Sequence, residues 1–434
     1  MNTEERQMDY LSILHRETAL ALGCTEPAAA ALAAAYAAKA LAEPVSEAQV
    51  SVSQYILKNG MNVGIPGTSM SGLAIACAMG LESRMPEKEL MVLSGLSEKQ
   101  KQEAKELVEK KKIRILLCET EEKIYIKVKA RSAAHTACAI LAGNHKNLVL
   151  LERDGEILYQ KECAAAQGGH KEQGQEPYAI TLKDIVRFVQ EISAEKLVFL
   201  KEILRVNEEI AKEGISGAYG LKVGKNLLSG EKNGLIGADV ANYAAAMTAA
   251  AADARMSGCS LPVMSAAGSG NQGLTATVPI AAAGKKLGIA EEKILKAAAL
   301  SILLTVHTKH YLGRLSVLCG CSISAAMGAG CGILFMLDGT YEQMCQTVST
   351  LVADISGVVC DGAKPGCALK IATAVDSAVR AANMALNGDG ADSRDGIVCQ
   401  DVEETLENLG LLGNAGMAEA NPLILQMMLQ KQNG

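Results

Sequence analysis

Hydrophobic and polar positions recur with two different periods along this chain, and the change of period divides it. Residues 8–43 carry helical spacing, first in "YLSILHRETALALG" and then in "EPAAAALAAAYAAKALA". "GCTEP" separates the two with Gly23 and Pro27, and Thr25 stands where an N-cap for the second helix is expected. Cys24 then falls at a helix–helix junction, near the positive end of a helix dipole, a setting that favours a thiolate. "QVSVSQYILKN" (49–59) reads as a strand running into the Gly-rich loop "GMNVGIPGTSMSG".

From residue 85 the texture changes. A Lys/Glu-rich helix, "SEKQKQEAKELVEKKK" (97–112), alternates with the β-type runs "IRILLCE", "KIYIKVKA" and "LVLLERDGEILYQKE", the last with a hairpin signal at "RDGE" (153–156). These predict a small α/β insertion over 85–165 and a polar linker over 166–177. After 180 the helical period dominates again, in "LKDIVRFVQEI", "AEKLVFLKEILRVNEEIAKEG" and "DVANYAAAMTAAAADARMSG". The expected fold class is α+β: a predominantly helical body, residues 1–84 and 175–434, carrying the insertion.

Composition sharpens this. Only 3% of residues are aromatic, with no Trp and three Phe, so Ala, Gly and small aliphatics must fill the interior and helices must pack closely. A net charge of −6 with dispersed charges lacks the basic footprint of a nucleic-acid binder. "MNTEERQMDYLSILHRETALALG" has no apolar signal region, and thirteen scattered cysteines suit a reducing compartment, so a cytoplasmic location is expected. Residues 315–337 contain no charge and are long enough to span a membrane. They are rich in Gly, Ala, Ser and Cys, which gain little from lipid, so a buried helix is expected there and no membrane partner.

Three stretches could carry chemistry. "VVCDGAKPGCALK" places Cys360 and Cys367 across a turn, the second opening a helix, with Lys364 between them to help hold thiolates. Cys321 in "LCGCSISAAMGAGCG" and Cys24 upstream could join them. No CxxC or ferredoxin-type run occurs, so spacing alone names no metal, and two buried cysteines flanking a turn read equally well. "AAGSGNQGLTATVP" (266–279) offers backbone amides at its glycines and neutral donors at Ser269, Asn271 and Gln272, suited to a carboxylate. "LKNGMNVGIPGTSMSG" (57–72) brings Lys58, Asn59 and Asn62 beside glycines. His307 and His310 share a helix face without an HExxH partner, and a hydrogen-bonded or solvated role is the simpler expectation. Cys319 and Cys331 lie within the same segment as Cys321, and the residues alone exclude neither; they read as core cysteines only once Cys321 is taken as the ligand.

Taken in order, "LALGCTEPAA", "LKNGMNVGIPGT", "AAGSGNQGLTATVP", "GRLSVLCGCSISAAMGAGCG" and "GVVCDGAKPGCALKIATAVDSAVRAA" resemble the L-cysteine desulfidase family, itself related to the α chain of iron–sulfur L-serine dehydratases. The resemblance runs from near residue 8 to residue 417. It implies a [4Fe–4S] cluster held by three cysteines, with one iron open to bind substrate as a Lewis acid. Cys321, Cys360 and Cys367 match the ligand contexts, and Cys24 is an alternative ligand or functional cysteine. The implied reaction converts L-cysteine to pyruvate, ammonia and hydrogen sulfide. Ser269, Asn271, Gln272, Lys58, Asn59 and Asn62 are then candidate substrate contacts, and Cys24 or Lys364 the base. Two departures stand out: the Cys360–Cys367 turn is shorter than in the serine enzymes, and no cysteine follows Cys399. L-Serine dehydration on the same scaffold is the nearest alternative, and a non-catalytic metal- or thiol-binding protein is another. The implied partner is a small amino-acid substrate. The oligomeric state stays open, a homo-oligomer included.

Overall fold

The computed structural model describes residues 3–161, 178, 180–313 and 315–431; the linker expected at 166–177 lies outside the described residues. Its helices are α1 (Thr3–Glu17), α2 (Thr25–Leu41), α3 (Gln54–Gly60), α4 (Leu73–Ser83), α5 (Glu98–Glu109), α6 (Leu182–Glu191), α7 (Leu200–Ser216) and α8 (Val223–Ser229). They continue with α9 (Val240–Met256), α10 (Gly270–Leu287), α11 (Glu291–Leu312), α12 (Ser324–Met336), α13 (Tyr341–Ile355), α14 (Cys367–Leu386), α15 (Val402–Leu411) and α16 (Ala420–Gln430). The strands are β1 (Thr18–Ala21), β2 (Glu47–Val52), β3 (Ile113–Leu117), β4 (Tyr125–Arg131), β5 (Thr136–Ala142), β6 (Leu148–Arg153), β7 (Glu156–Gln160) and β8 (Val263–Ala266). The class is the mostly helical α+β fold that the periods predict.

Six strands form one sheet in the order β3-β2-β4-β5-β6-β7. β2 and β3 run parallel, Val50 opposite Ile115, and the other neighbours are antiparallel. The sheet therefore builds on β2, which precedes residue 85, as well as on the strands within 85–165. Alternation along β2 and β4 turns Val50, Val52, Ile126 and Val128 to one buried face. The "RDGE" hairpin forms as expected, with Asp154 and Gly155 both at positive φ (51° and 85°), as a tight two-residue turn requires.

α2 lies on the buried face of this sheet with α4 on its other side, so Ala28 to Ala35 are all buried and the helix has no polar stripe. Small side chains set the spacing. A Cβ added at Gly80 of α4 would fall 2.1 Å from the Ala31 carbonyl oxygen of α2. The same close approach recurs between Gly214 of α7 and Ala250 of α9, at 2.0 Å. A second apolar core gathers α6 and α10–α15, and a third lies between α8, α9, α10 and α14.

Three local expectations are corrected. Thr18–Ala21 is a strand, because its backbone pairs antiparallel with β8, from Thr18 opposite Ala266 to Ala21 opposite Val263. The β2 strand stops at Val52: the Ser53 amide and hydroxyl bond Tyr125 and Lys123 carbonyls, and five consecutive buried residues from Ile56 onward turn as helix. Cys24, with extended φ/ψ, is the N-cap residue of α2, and the Thr25 hydroxyl donates to Glu26 Oε2 instead. The uncharged stretch 315–337 forms a loop and then α12, and no helix among the described residues is long and apolar enough to cross a membrane.

Because a Cβ at position 80 meets backbone that cannot give way, Gly80→Ala is expected to cost about 1–3 kcal/mol of stability through overpacking. Urea denaturation measures it, and an unmoved midpoint would show that α2 and α4 part freely.

Candidate functional site

Two short pairings assemble the site. The β1–β8 ladder carries the loop 22–24 alongside the turn that starts α10. A lone bridge between Leu318 and Val359 joins the loop before α12 to the loop before α14. There the Cys360 amide donates to Val317 O (2.6 Å) and the Cys319 amide to Val358 O (2.9 Å). Gly362, at φ 92°, lies so close to α3 that a Cβ there would sit 2.3 Å from Lys58 O.

These contacts bring Cys321, Cys360 and Cys367 together, with Cys24 close enough to act on Cys367. Cys319 belongs with them rather than with the core: its sulfur is 3.3 Å from that of Cys321. The hydrogen bond between these two thiols holds Cys319 down at about 6 and pushes Cys321 well up. Burial dominates elsewhere and outweighs the helix dipoles invoked above. It lifts Cys367 to about 12, and Cys24 to about 11 against the pull of Arg255. Cys331 does sit in the core, its thiol against Met344 O at 3.6 Å.

Lysines surround the sulfurs. Lys58 is 1% exposed, and its ammonium donates to Cys360 O, at 2.9 Å. Lys309 is buried as well and donates to Ser316 Oγ at 3.1 Å. Burial lowers both, Lys309 to about 8, while nearby thiols pull each back up. Neither forms an ion pair among the described residues. Lys364 and Lys370 differ, for both are engaged by Asp361. Burial pulls Lys370 down, but the Asp361 hydrogen bond and charge outweigh it and hold the ammonium above its ordinary value. The Lys364 ammonium is thus committed to Asp361 and to its carbonyl, not directed at a ligand.

Arg255, at the end of α9, is 3% exposed and clamps the loop before α2 to the start of α10. Nη1 donates to Asn271 Oδ1 and Nη2 to Gly23 O, both at 2.8 Å. Its guanidinium packs on Gly270, where a Cβ would fall 2.4 Å from Nε. Gln272 directs Nε2 to Ala267 O and leaves Oε1 buried without a partner, beside Gly320 and Lys309. Glu26 and Asn59 bond each other at 2.9 Å. Ser269 is partly buried at the start of α10, and Asn62 is exposed on its loop. His307 bonds Glu403 at 2.7 Å, away from the thiols, as a hydrogen-bonded histidine was expected to do.

A match to the model of the serine dehydratase alpha chain covers residues 87–426. The chain belongs to that family. Relatives in the family's sequence neighbourhood, all bearing the name UPF0597 protein, come from Oleidesulfovibrio alaskensis, Clostridium perfringens and Bacteroides fragilis. The first is 42% identical over 98% of both chains, the second 39% over 98% of both, and the third 37% over 99% of both. The family membership agrees with the resemblance seen in the motifs.

Reading the sequence missed Cys319, Glu26, Lys309 and Arg255. Cys319 and Glu26 stood inside quoted motifs. Lys309 lay between the two histidines of "HTKHY", and Arg255 ended an Ala-rich helix that read as packing. Two charged residues, Asp253 and Arg255, closing so apolar a helix were the available signal, since buried charge needs partners.

Arg255→Lys removes one of two charge-assisted bonds and the planar fork, so a loss on the order of 3 kcal/mol is expected in urea unfolding. The same variant should slow alkylation of Cys24 near pH 9 relative to wild type, because the cation that favours its thiolate is displaced. Unchanged stability and alkylation would remove Arg255 from this role.

Proposed function

We propose that this member of the serine dehydratase alpha-chain family is an iron–sulfur lyase that converts L-cysteine to pyruvate, ammonia and hydrogen sulfide. One observation carries the reading: two buried ammonium groups, Lys58 and Lys309, face a group of thiols and form no ion pair with a carboxylate among the described residues. Isolated buried cations are costly, so the arrangement calls for anions, and thiolates on a metal cluster supply them.

The donor set fits such a cluster better than a single ion. Among the described residues no three His, Cys, Asp or Glu groups converge on one ion. A tetrahedral ion with sulfur ligands draws them to about 3.8 Å from one another. A [4Fe–4S] group keeps its thiolates farther apart and fills the space with its own sulfide. Cys321, Cys360 and Cys367 would hold it, with Cys319 against Cys321 and Cys24 to one side. When bound, the cluster supplies a thiophilic Lewis acid suited to a sulfur leaving group.

The chain's own residues do the rest. The substrate carboxylate would meet the neutral donors of the 269–272 turn, whose position Arg255 sets. The Cys24 sulfur is the proposed acceptor of the α-proton, and Arg255 is the cation that eases its ionisation. Lys364 is set aside as base because Asp361 holds it. L-Serine dehydration is the second reading, favoured by the family's description, and it uses the same groups with oxygen as the leaving atom.

Anaerobically purified protein should contain about four iron and four acid-labile sulfide per chain. Cys360→Ala should lose most of both, whereas Cys331→Ala should keep them. Sulfide release from L-cysteine should exceed pyruvate formation from L-serine. Iron unchanged in the Cys360 variant would break the ligand assignment, and activity on serine alone would overturn the choice of substrate.

A further inference from the structure

Every fixed charge around the thiols has a role except one. Arg255, Lys58 and Lys309 are cationic, and Asp361 is saturated by Lys364 and Lys370. Glu26 is a carboxylate 8% exposed in the first turn of α2, and its bonded partners are neutral. Oε2 accepts from the Thr25 hydroxyl at 3.0 Å and Oε1 from Asn59 Nδ2 at 2.9 Å. Lys58 acts on it only at longer range, its ammonium being bonded to Cys360 O.

Asn59 adds the second observation. It is also 8% exposed, and because its amide nitrogen is turned to Glu26, its Oδ1 is the free end. That oxygen is buried without a partner among the described residues. A buried carboxylate beside an orphaned carbonyl oxygen makes a corner of acceptors only. It is satisfied by a small group that is positive and carries several N–H donors. Gln272 also has an orphaned oxygen, but Lys309 already stands beside it, so a second cation is repelled there. Cys24 lies within the influence of both Glu26 and Arg255. A zwitterion is thus matched by a carboxylate corner on one flank of Cys24 and a guanidinium-organised donor turn on the other.

We propose that Glu26 and Asn59 form the subsite that recognises the α-ammonium group of an amino acid and thereby sets its α-carbon beside Cys24. The inference rests on the amino-acid reading of the site for the identity of the molecule, but not on its turnover.

Calorimetry on the anaerobically purified protein tests it with two unreactive probes, L-alanine and propionate, which differ in the amine alone. The wild type should bind alanine about tenfold or more tightly than propionate. Glu26→Gln should bring the two within about threefold while leaving propionate binding unchanged. Asn59→Ala should shift the preference in the same direction by less, and it decides the matter if the Glu26 variant fails to fold. Equal binding of the two probes by wild type, undetectable alanine binding, or a preference that survives in the variants would overturn the subsite. Loss of all lyase activity with the alanine preference intact would instead refute the proposed reaction and leave the subsite standing.

Discussion

Positive charge buried without carboxylates governs this structure. Lys58 and Lys309 are held away from water by α3, α11 and the loops that carry the cysteines, and among the described residues they donate to a carbonyl and a hydroxyl. Such groups persist in a folded chain when anions complete them. The thiols are the groups positioned to do so: they pull both lysines up while burial pulls them down. The protonation of the cysteines and the charge of the lysines are therefore one coupled question, answered by whatever occupies the space between them.

Small residues make that coupling geometrically possible. Gly320 lies where a Cβ would press on Gln272 and Lys309, and Gly328 lets α12 approach the Ser301 carbonyl of α11, where a Cβ would fall 2.3 Å away. The Ala- and Gly-rich helices are not merely filler in a chain poor in aromatics. They let backbone meet backbone, so that loops from distant parts of the chain arrive at the same place. Arg255 then locks two of those loops with a single guanidinium, and Asp361 locks the Cys360–Cys367 turn by engaging two lysines.

The helical body, the hairpin at Asp154-Gly155 and the helix opening at Cys367 were all readable from period and turn chemistry, because each depends on residues a few positions apart. The strand at Thr18–Ala21 was not, since its partner lies at Val263–Ala266 and nothing local distinguishes it from helix. The end of β2 was missed for a similar reason, as Ser53 stops the ladder by bonding to residues about 70 positions away. Cys319 is buried as a core cysteine would be, but its contact with Cys321 was not readable, because sequence shows a Cys-Gly-Cys run without showing which side each sulfur faces.

By itself the sequence determined the fold class, the family and the segments in which chemistry is carried, because motifs and periods are local records. Only the tertiary structure decided which charges those segments share. It committed Lys364 to Asp361, left Lys309 without a carboxylate partner among the described residues, placed Arg255 between Gly23 and Asn271, and turned the amide nitrogen of Asn59 to Glu26. Those outcomes depend on burial and on partners at every separation, from three residues for Lys364 and Asp361 to 232 for Arg255 and Gly23, because electrostatics in a protein interior is set by neighbours in space.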